Sequence, residues 1–241
     1  MKILAVETTG PRESVAVYND GKTTEIGQDV KSHSAHLLRN IDKVLKKANA
    51  KLEDLDYLAA SIGPGSFMGI RIGLSTMQGL SLALGIPLIG VPTLDALAEK
   101  VLCLLPPHGI GLKCVGNNIK YICPLILSKG EDIYTAVYVI KNNKLKRIGK
   151  YQYMQVNEFL EIFRKDKMHG CVVFLGEAKR FENYIIDILG EKAFILQNEF
   201  SFPRAGNVAL LAAKSIEKKK VKKIVCPSPL YVKTFLTKRT G

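Results

Sequence analysis

The stretch Ser61-Ile62-Gly63-Pro64-Gly65-Ser66-Phe67-Met68-Gly69-Ile70-Arg71-Ile72-Gly73 ends a short apolar run, Tyr57 to Ile62, and opens a long helical pattern, Phe67 to Leu84. Glycine at 63, 65 and 69 with Pro64 between makes a constrained turn that another group can approach closely. N–H groups at the start of the following helix have no intrahelical acceptor, so they can face an anion or a partner's carbonyls. The plainer reading is a tight strand-to-helix turn whose small residues serve packing. A Walker loop is excluded, because no Gly-Lys-Ser/Thr follows. Ser66 is not the centre of a nucleophile elbow either, since Pro64 and Met68 stand where that motif needs glycine.

Upstream of the turn, Lys2 to Val6 reads as a buried strand and Ser14 to Tyr18 alternates. Asn19-Asp20-Gly21 predicts a hairpin into a strand from Lys22 to Gln28. A helix from Ser34 to Ala48, capped by Ser32 or Ser34, carries an apolar stripe of Leu37, Leu38, Ile41, Val44, Leu45 and Ala48. Downstream lie a strand, Leu88 to Val91, and a helix from Thr93 to about Leu104. The second half repeats this order. Strands at Tyr121 to Leu127, Ile133 to Ile140 and Lys144 to Tyr153 are followed by a helix from Val156 to Arg164. Then come a strand (Cys171 to Leu175), a helix (Arg180 to Leu189), a strand (Phe194 to Leu196) and a helix (Asn207 to Lys218), with Asn142-Asn143 as a turn. Three meandering strands followed by alternating helices and strands give an α/β fold with a mixed sheet flanked by helices. Two such units in tandem point to the actin-like ATPase (ASKHA) fold, two ribonuclease-H-like lobes facing a cleft. The expected organisation is a first lobe over 1–105, a connector over 106–118 rich in Pro and Gly, and a second lobe with a basic tail over 119–241.

The chain has 241 residues, 47% of them apolar and 24% charged, which suits a globular domain of this size. No apolar run reaches the roughly 18 to 20 residues that span a bilayer, and the N-terminus lacks a signal-peptide pattern; the expected location is cytoplasmic, with no membrane contact. Five cysteines without a C-x-x-C pair predict free thiols. The formal charge of +13 favours polyanionic neighbours such as RNA. Much of the excess lies between Lys214 and Arg239, where few aromatics interleave, so no base-stacking platform is expected. His33 and His36 form the one close histidine pair, with no carboxylate or thiolate beside them to complete a metal site.

Five segments together resemble the TsaB family: Ile3-Leu4-Ala5-Val6-Glu7-Thr8-Thr9, the Gly63 to Gly73 loop, Gly90-Val91-Pro92-Thr93-Leu94, Pro203-Arg204-Ala205-Gly206-Asn207-Val208-Ala209 and Pro229-Leu230-Tyr231-Val232-Lys233. They keep the family's order from residue 3 to residue 233. The departures are Met68 for a common Thr, Glu7 for a common Asp, and Leu127-Ser128-Lys129 where the family usually has Asp-Ala-Arg.

The resemblance implies a subunit of the machinery that makes threonylcarbamoyladenosine in tRNA. The catalytic relative, TsaD, carries a His-x-x-x-His metal motif; carried over, those two places fall on Thr93 and Leu97. Leu97 cannot bind a metal, and Thr93 reads instead as a helix N-cap. No metal and no cofactor of the chain's own are expected. Actin-like ATPases hold phosphate on two hairpins, one in each lobe. Glu7-Thr8-Thr9-Gly10 is the nucleotide-binding candidate for the first, and nothing around Leu127 to Asp132 resembles the second. ATP or ADP would then be shared at a partner interface.

The expected function is therefore a non-catalytic scaffold, with no catalytic residue and no enzyme activity alone. It would bind and activate a TsaD-like partner for threonylcarbamoyl transfer to the tRNA adenosine next to the anticodon. A TsaE-like ATPase is a further companion, tRNA is met mainly through the complex, and the chain forms a homodimer when alone. The expected partner interface comprises His36, Leu37, Gly63, Gly65, Ser66, Phe67, Met68, Gly69, Arg71, Gly73 and Leu74, with Gly69, Gly73 and Gly79 letting helices approach. The alternative is a stand-alone actin-fold ATPase or kinase, or a metallopeptidase-like enzyme. Direct tRNA binding by the lysine-rich C-terminal region is a third reading.

Overall fold

A computed structural model describes residues 1–29, 36–104, 119–141, 144–165, 170–219 and 227–232, apart from the side chains of residues 103, 104, 165 and 219. Ser32, Ser34, His33, the connector over 106–118, His108, His169, the Asn142-Asn143 turn and most of the lysine-rich end lie outside the described residues.

The first lobe runs β1 (Lys2–Glu7), β2 (Arg12–Asn19), β3 (Lys22–Asp29), α1 (Leu37–Lys47), β4 (Tyr57–Ser61), α2 (Phe67–Leu84), β5 (Leu88–Val91) and α3 (Thr93–Glu99). Its sheet has the order β3-β2-β1-β4-β5. β1 to β3 are antiparallel neighbours, whereas β4 and β5 join β1 in parallel. The hairpin from β2 to β3 is closed by Asp20 at φ 43° and Gly21 at φ 90°, the left-handed pair that matches strand twist.

The second lobe runs β6 (Ile119–Leu127), β7 (Asp132–Lys141), β8 (Lys144–Gln155), α4 (Val156–Lys165), β9 (Cys171–Gly176), α5 (Glu182–Leu189), β10 (Ala193–Ile195) and α6 (Ala205–Lys219). Its sheet order, β8-β7-β6-β9-β10, reproduces the first in position and direction. Two mixed sheets of one topology, each flanked by helices, make this the actin-like ATPase fold.

Periodicity explains which helix covers which face. In α1 the 3.6-residue stripe buries Leu37, Ile41, Val44 and Leu45, each at most 6% exposed. They pack with Ile70, Leu74 and Met77 of α2 over one face of the first sheet. Each such side chain contributes about 1.5–3 kcal/mol. α4 and α5 cover one face of the second sheet through Phe159, Phe163 and Ile185.

The two inner faces exchange helices. α3, which closes the first half of the chain, lays Leu94, Leu97 and Ala98 on the second sheet. α6 lays Ala205, Val208, Ala209 and Ala212 on the first sheet, where Ala96 of α3 joins them. Lys214 of α6 forms an ion pair with Glu99 of α3. The exchange ties the lobes together through buried apolar contacts.

Asp95 on α3 strengthens that tie. Its carboxylate accepts from the Tyr138 hydroxyl at 2.5 Å and from the Tyr151 hydroxyl at 2.9 Å, and Arg147 lies 3.7 Å away. Burial first, and the Asp95 charge second, push both phenols above their ordinary range, so they remain donors at neutral pH. Asp95→Ala is expected to leave the buried Tyr138 hydroxyl without its acceptor and to cost about 2 kcal/mol. A lowered urea midpoint with an unchanged m value checks this.

Candidate functional site

Four of the five segments that carry the family resemblance meet at the carboxyl end of β1, and the described part of the fifth, Pro229 to Val232, crosses the turn beside it. There the chain turns through Thr8, Thr9 and Gly10 and is enclosed on two sides. On one side stands the turn into α2. The Thr8 hydroxyl donates to the Gly69 carbonyl at 2.7 Å, and the Ser66 N–H donates to the Thr9 carbonyl at 2.7 Å. A Cβ at Gly65, Gly69 or Gly73 would overlap atoms of Thr8 or Thr9. On the other side Pro203 lies 3.7 Å from the Cβ position of Gly10, and the Ala205 N–H donates to the Ser14 hydroxyl at 2.8 Å.

Glu7 explains the inside of the turn. It is fully buried, and its carboxylate accepts from the Thr9 N–H at 2.6 Å, from the Thr9 hydroxyl at 2.5 Å and from the Ser61 hydroxyl. A buried carboxylate is tolerated when it collects several such donors. Thr9 Oγ1 also accepts from the Thr93 hydroxyl at 3.2 Å, and the Thr93 N–H donates to the Gly63 carbonyl at 2.8 Å. Thr93 is therefore not the helix N-cap expected from the sequence. Pro92 holds that place without a side-chain bond, and the Thr93 hydroxyl is drawn to the loop instead.

The donor set does not suit a nucleotide. The Thr9 N–H and hydroxyl are committed to Glu7, the Thr8 hydroxyl is committed to α2, and Pro203 covers Gly10. A phosphate at this loop would have to displace the chain's own bonds. Leu97, at the second of the two places where the catalytic relative has histidine, is fully buried in the core of the second lobe. Among the described residues no group of three or more His, Cys, Asp or Glu is placed to hold a metal ion.

The expected interface residues divide in two. Leu37, Gly63, Gly69, Gly73 and Leu74 are buried. Gly69 and Gly73 admit Thr8, so their smallness serves the loop inside rather than a helix outside. Gly65 is half-buried, and His36, Ser66, Phe67, Met68 and Arg71 are exposed. Ser66 caps α2 by accepting from the Gly69 N–H at 3.1 Å. The Arg71 guanidinium stacks 3.7 Å over the Phe67 ring.

Besides Phe67 and Ala83 at its ends, α2 exposes Met68, Arg71, Ser75, Gly79 and Leu82, spaced three and four apart along one stripe. Met68 is 61% exposed and Leu82 69%. Gly79 has open space where a Cβ would stand. The neighbouring helix α1 exposes Leu38. Leu38, expected on the packing stripe of α1, stands in water instead, and Leu82 was not singled out from the sequence. The signal for Leu82 was present in α2, an 18-residue helix that is apolar on nearly every side yet flanks a sheet on one side only.

A strap over residues 227–232 crosses the same turn. The Leu230 N–H donates to the Ile62 carbonyl at 2.7 Å, and Gln78 Nε2 donates to the Pro227 carbonyl at 3.2 Å. The Tyr231 ring lies 5.8 Å from the Phe67 ring. Phe67, Tyr231 and Tyr134 of the second lobe line an apolar cleft of about 360 Å³. The strap closes the outside of the turn much as Pro203 closes the inside. No described helix is long and apolar enough to cross a membrane.

Comparison with known proteins bears on the family and the fold. The family model described as TsaD, tRNA N6-adenosine threonylcarbamoyltransferase, matches residues 27–238. The chain is 44% identical over 99 residues to the tRNA threonylcarbamoyladenosine biosynthesis protein TsaB of Buchnera aphidicola subsp. Schizaphis graminum, a match covering 41% of this chain and 47% of that one. The chain thus spans about half the length of that relative. It is 28% identical over 217 residues to TsaB of Bacillus subtilis, covering 88% of this chain and 86% of the relative. In fold it is similar to YeaZ from Pseudomonas aeruginosa, with a TM-score of 0.74 at 19% identity over 95% of this chain and 99% of that one.

Proposed function

The chain belongs to the TsaB family, and from that premise we propose that it serves tRNA threonylcarbamoyladenosine synthesis as a docking subunit without catalysis of its own. One observation carries this reading. The loop at which an actin-like ATPase would hold phosphate is filled by the chain's own hydroxyls and amides, while the helix that fills it leaves Met68 and Leu82 in water. Burying that stripe against a second protein would offset the cost of exposing it.

The partner is a TsaD-like catalytic subunit, whose own fold would be held in its active shape by contact with α2 and α1. Ser75 and Gly79, at the middle of the stripe, let a partner helix come close. The same stripe is self-complementary in chemistry, so two copies pair through it when the partner is missing. In this reading ATP or ADP lies at the partner interface, held by groups other than the filled Glu7–Gly10 loop, a TsaE-like ATPase is a further member, and the complex rather than this chain performs the transfer.

The test is reconstitution. The purified chain alone should transfer no threonylcarbamoyl group to tRNA, the TsaD-like subunit alone should be slow, and the two together should restore transfer. Transfer, or phosphate release from ATP, at full rate by the lone chain would contradict the proposal.

A further inference from the structure

Strand β8 forms the outer edge of the second sheet, and from Lys144 to Gln155 it carries Lys144, Lys146, Arg147 and Lys150 with no carboxylate. Arg147 is occupied, lying 3.7 Å from Asp95 and stacked 3.7 Å over the Tyr151 ring. Lys144, Lys146 and Lys150 are exposed, and among the described residues none of them is in an ion pair. Lys144 also stands directly across the ladder from Lys141, which is exposed as well. Like charges in register repel and cost folding free energy. A cleft of about 510 Å³ between β8 and α6 continues the patch. Its rim adds Lys218, while Glu99 takes the charge of Lys214 and Glu217 is the remaining carboxylate.

Lysines on an edge strand also block pairing with other sheets. That need ends at the strand and does not account for the positive charge continuing across the cleft to Lys218 of α6. Unpaired ammonium groups on Lys144 and Lys146, with Lys150 in the bulge beyond Gly149, are suited to a phosphodiester backbone, where each contact releases a bound counterion. Ile148 is the exposed apolar residue within β8, which is too little to anchor a membrane surface.

Resting on the tRNA reading above, we propose that β8, with the end of α6 beside it, is a phosphate-backbone surface that holds tRNA against the complex. It lies on the edge strand of the second lobe, whereas the α2 stripe belongs to the first, so in this proposal one chain engages its partner protein and the RNA through different elements. The contact is electrostatic and carries no sequence preference.

The experiment uses the reconstituted pair, an unmodified tRNA transcript and fluorescence anisotropy over a salt series. The triple variant Lys144→Gln, Lys146→Gln, Lys150→Gln should bind about tenfold more weakly at ~0.15 M salt, with a log–log salt slope shallower by about 2–3. A control triple of exposed lysines elsewhere, Lys22→Gln, Lys51→Gln, Lys192→Gln, should stay within about twofold of the natural chain. The single Lys146→Gln variant should lower the slope by about 0.7–0.9, which keeps the test open if the triple folds poorly. Equal losses in the two triples, or an unchanged slope in the β8 triple, would overturn the surface. If that happens while the pair still modifies tRNA, the surface alone is lost. If the natural pair neither binds nor modifies tRNA, the functional reading falls with it.

Discussion

A chain carrying Gly69→Ala is expected to lose about 3 kcal/mol of stability and to melt about 10 °C below the natural protein. The sign is not obvious, because alanine inside a helix is ordinarily better than glycine by about 1 kcal/mol. Here the new methyl would overlap the Thr8 carbonyl oxygen, which is backbone and cannot swing aside. The loop must move, and with it go the bond from the Thr8 hydroxyl to Gly69 and the bond from the Ser66 N–H to Thr9. These two hydrogen bonds at about 1 kcal/mol each, added to overpacking, outweigh the propensity gain. Gly79→Ala, in the same helix with open space at the Cβ position, is expected to show the opposite sign, a gain of about 0.8–1 kcal/mol. Urea unfolding of the two variants checks both. A Gly69→Ala chain as stable as the natural one would mean that α2 does not close the loop.

The same residues show what the sequence could and could not convey. Element order was legible because apolar periodicity is local. The helix Phe67 to Leu84 was placed at its observed bounds, and the repeated strand order emerged as two sheets of one topology. The glycines of α2 were legible as a close approach, but not as an approach to what. A stripe of small residues looks alike whether it faces a partner or its own chain, and Thr8 is more than fifty residues away along the sequence. Leu37 and Leu74 were expected at a surface for a similar reason. An apolar residue beside a functional loop does not declare which side of the helix it lies on until the sheet beneath is known. The exchange of α3 and α6 between the lobes left no local signal either, since each helix simply has an apolar face. Thr93 read as a cap because threonine before an apolar run usually is one. The long-range pull of Thr9 decided otherwise.

Replacing Met68 by Arg is expected to weaken association with the TsaD-like partner by at least about 100-fold, or about 2.7 kcal/mol. Met68 is 61% exposed, so the lone chain should fold and melt as before. Arg71 stands one turn along the stripe, and a second guanidinium beside it adds like-charge repulsion to the cost of burying an unpaired cation. Leu82→Arg, near the other end of the helix, should act in the same direction, because the proposed contact runs the length of the stripe. Either variant should also convert a homodimer of the isolated chain to monomer in analytical ultracentrifugation, since one surface is proposed to serve both associations.

Titration calorimetry of Met68→Arg against the purified TsaD-like subunit, beside the natural chain, tests the docking role most directly. Docking through α2 requires heat and a defined Kd for the natural chain and no measurable binding for a variant whose melting curve is unchanged. Equal affinity for the two, with both folded, would place the contact elsewhere and contradict it.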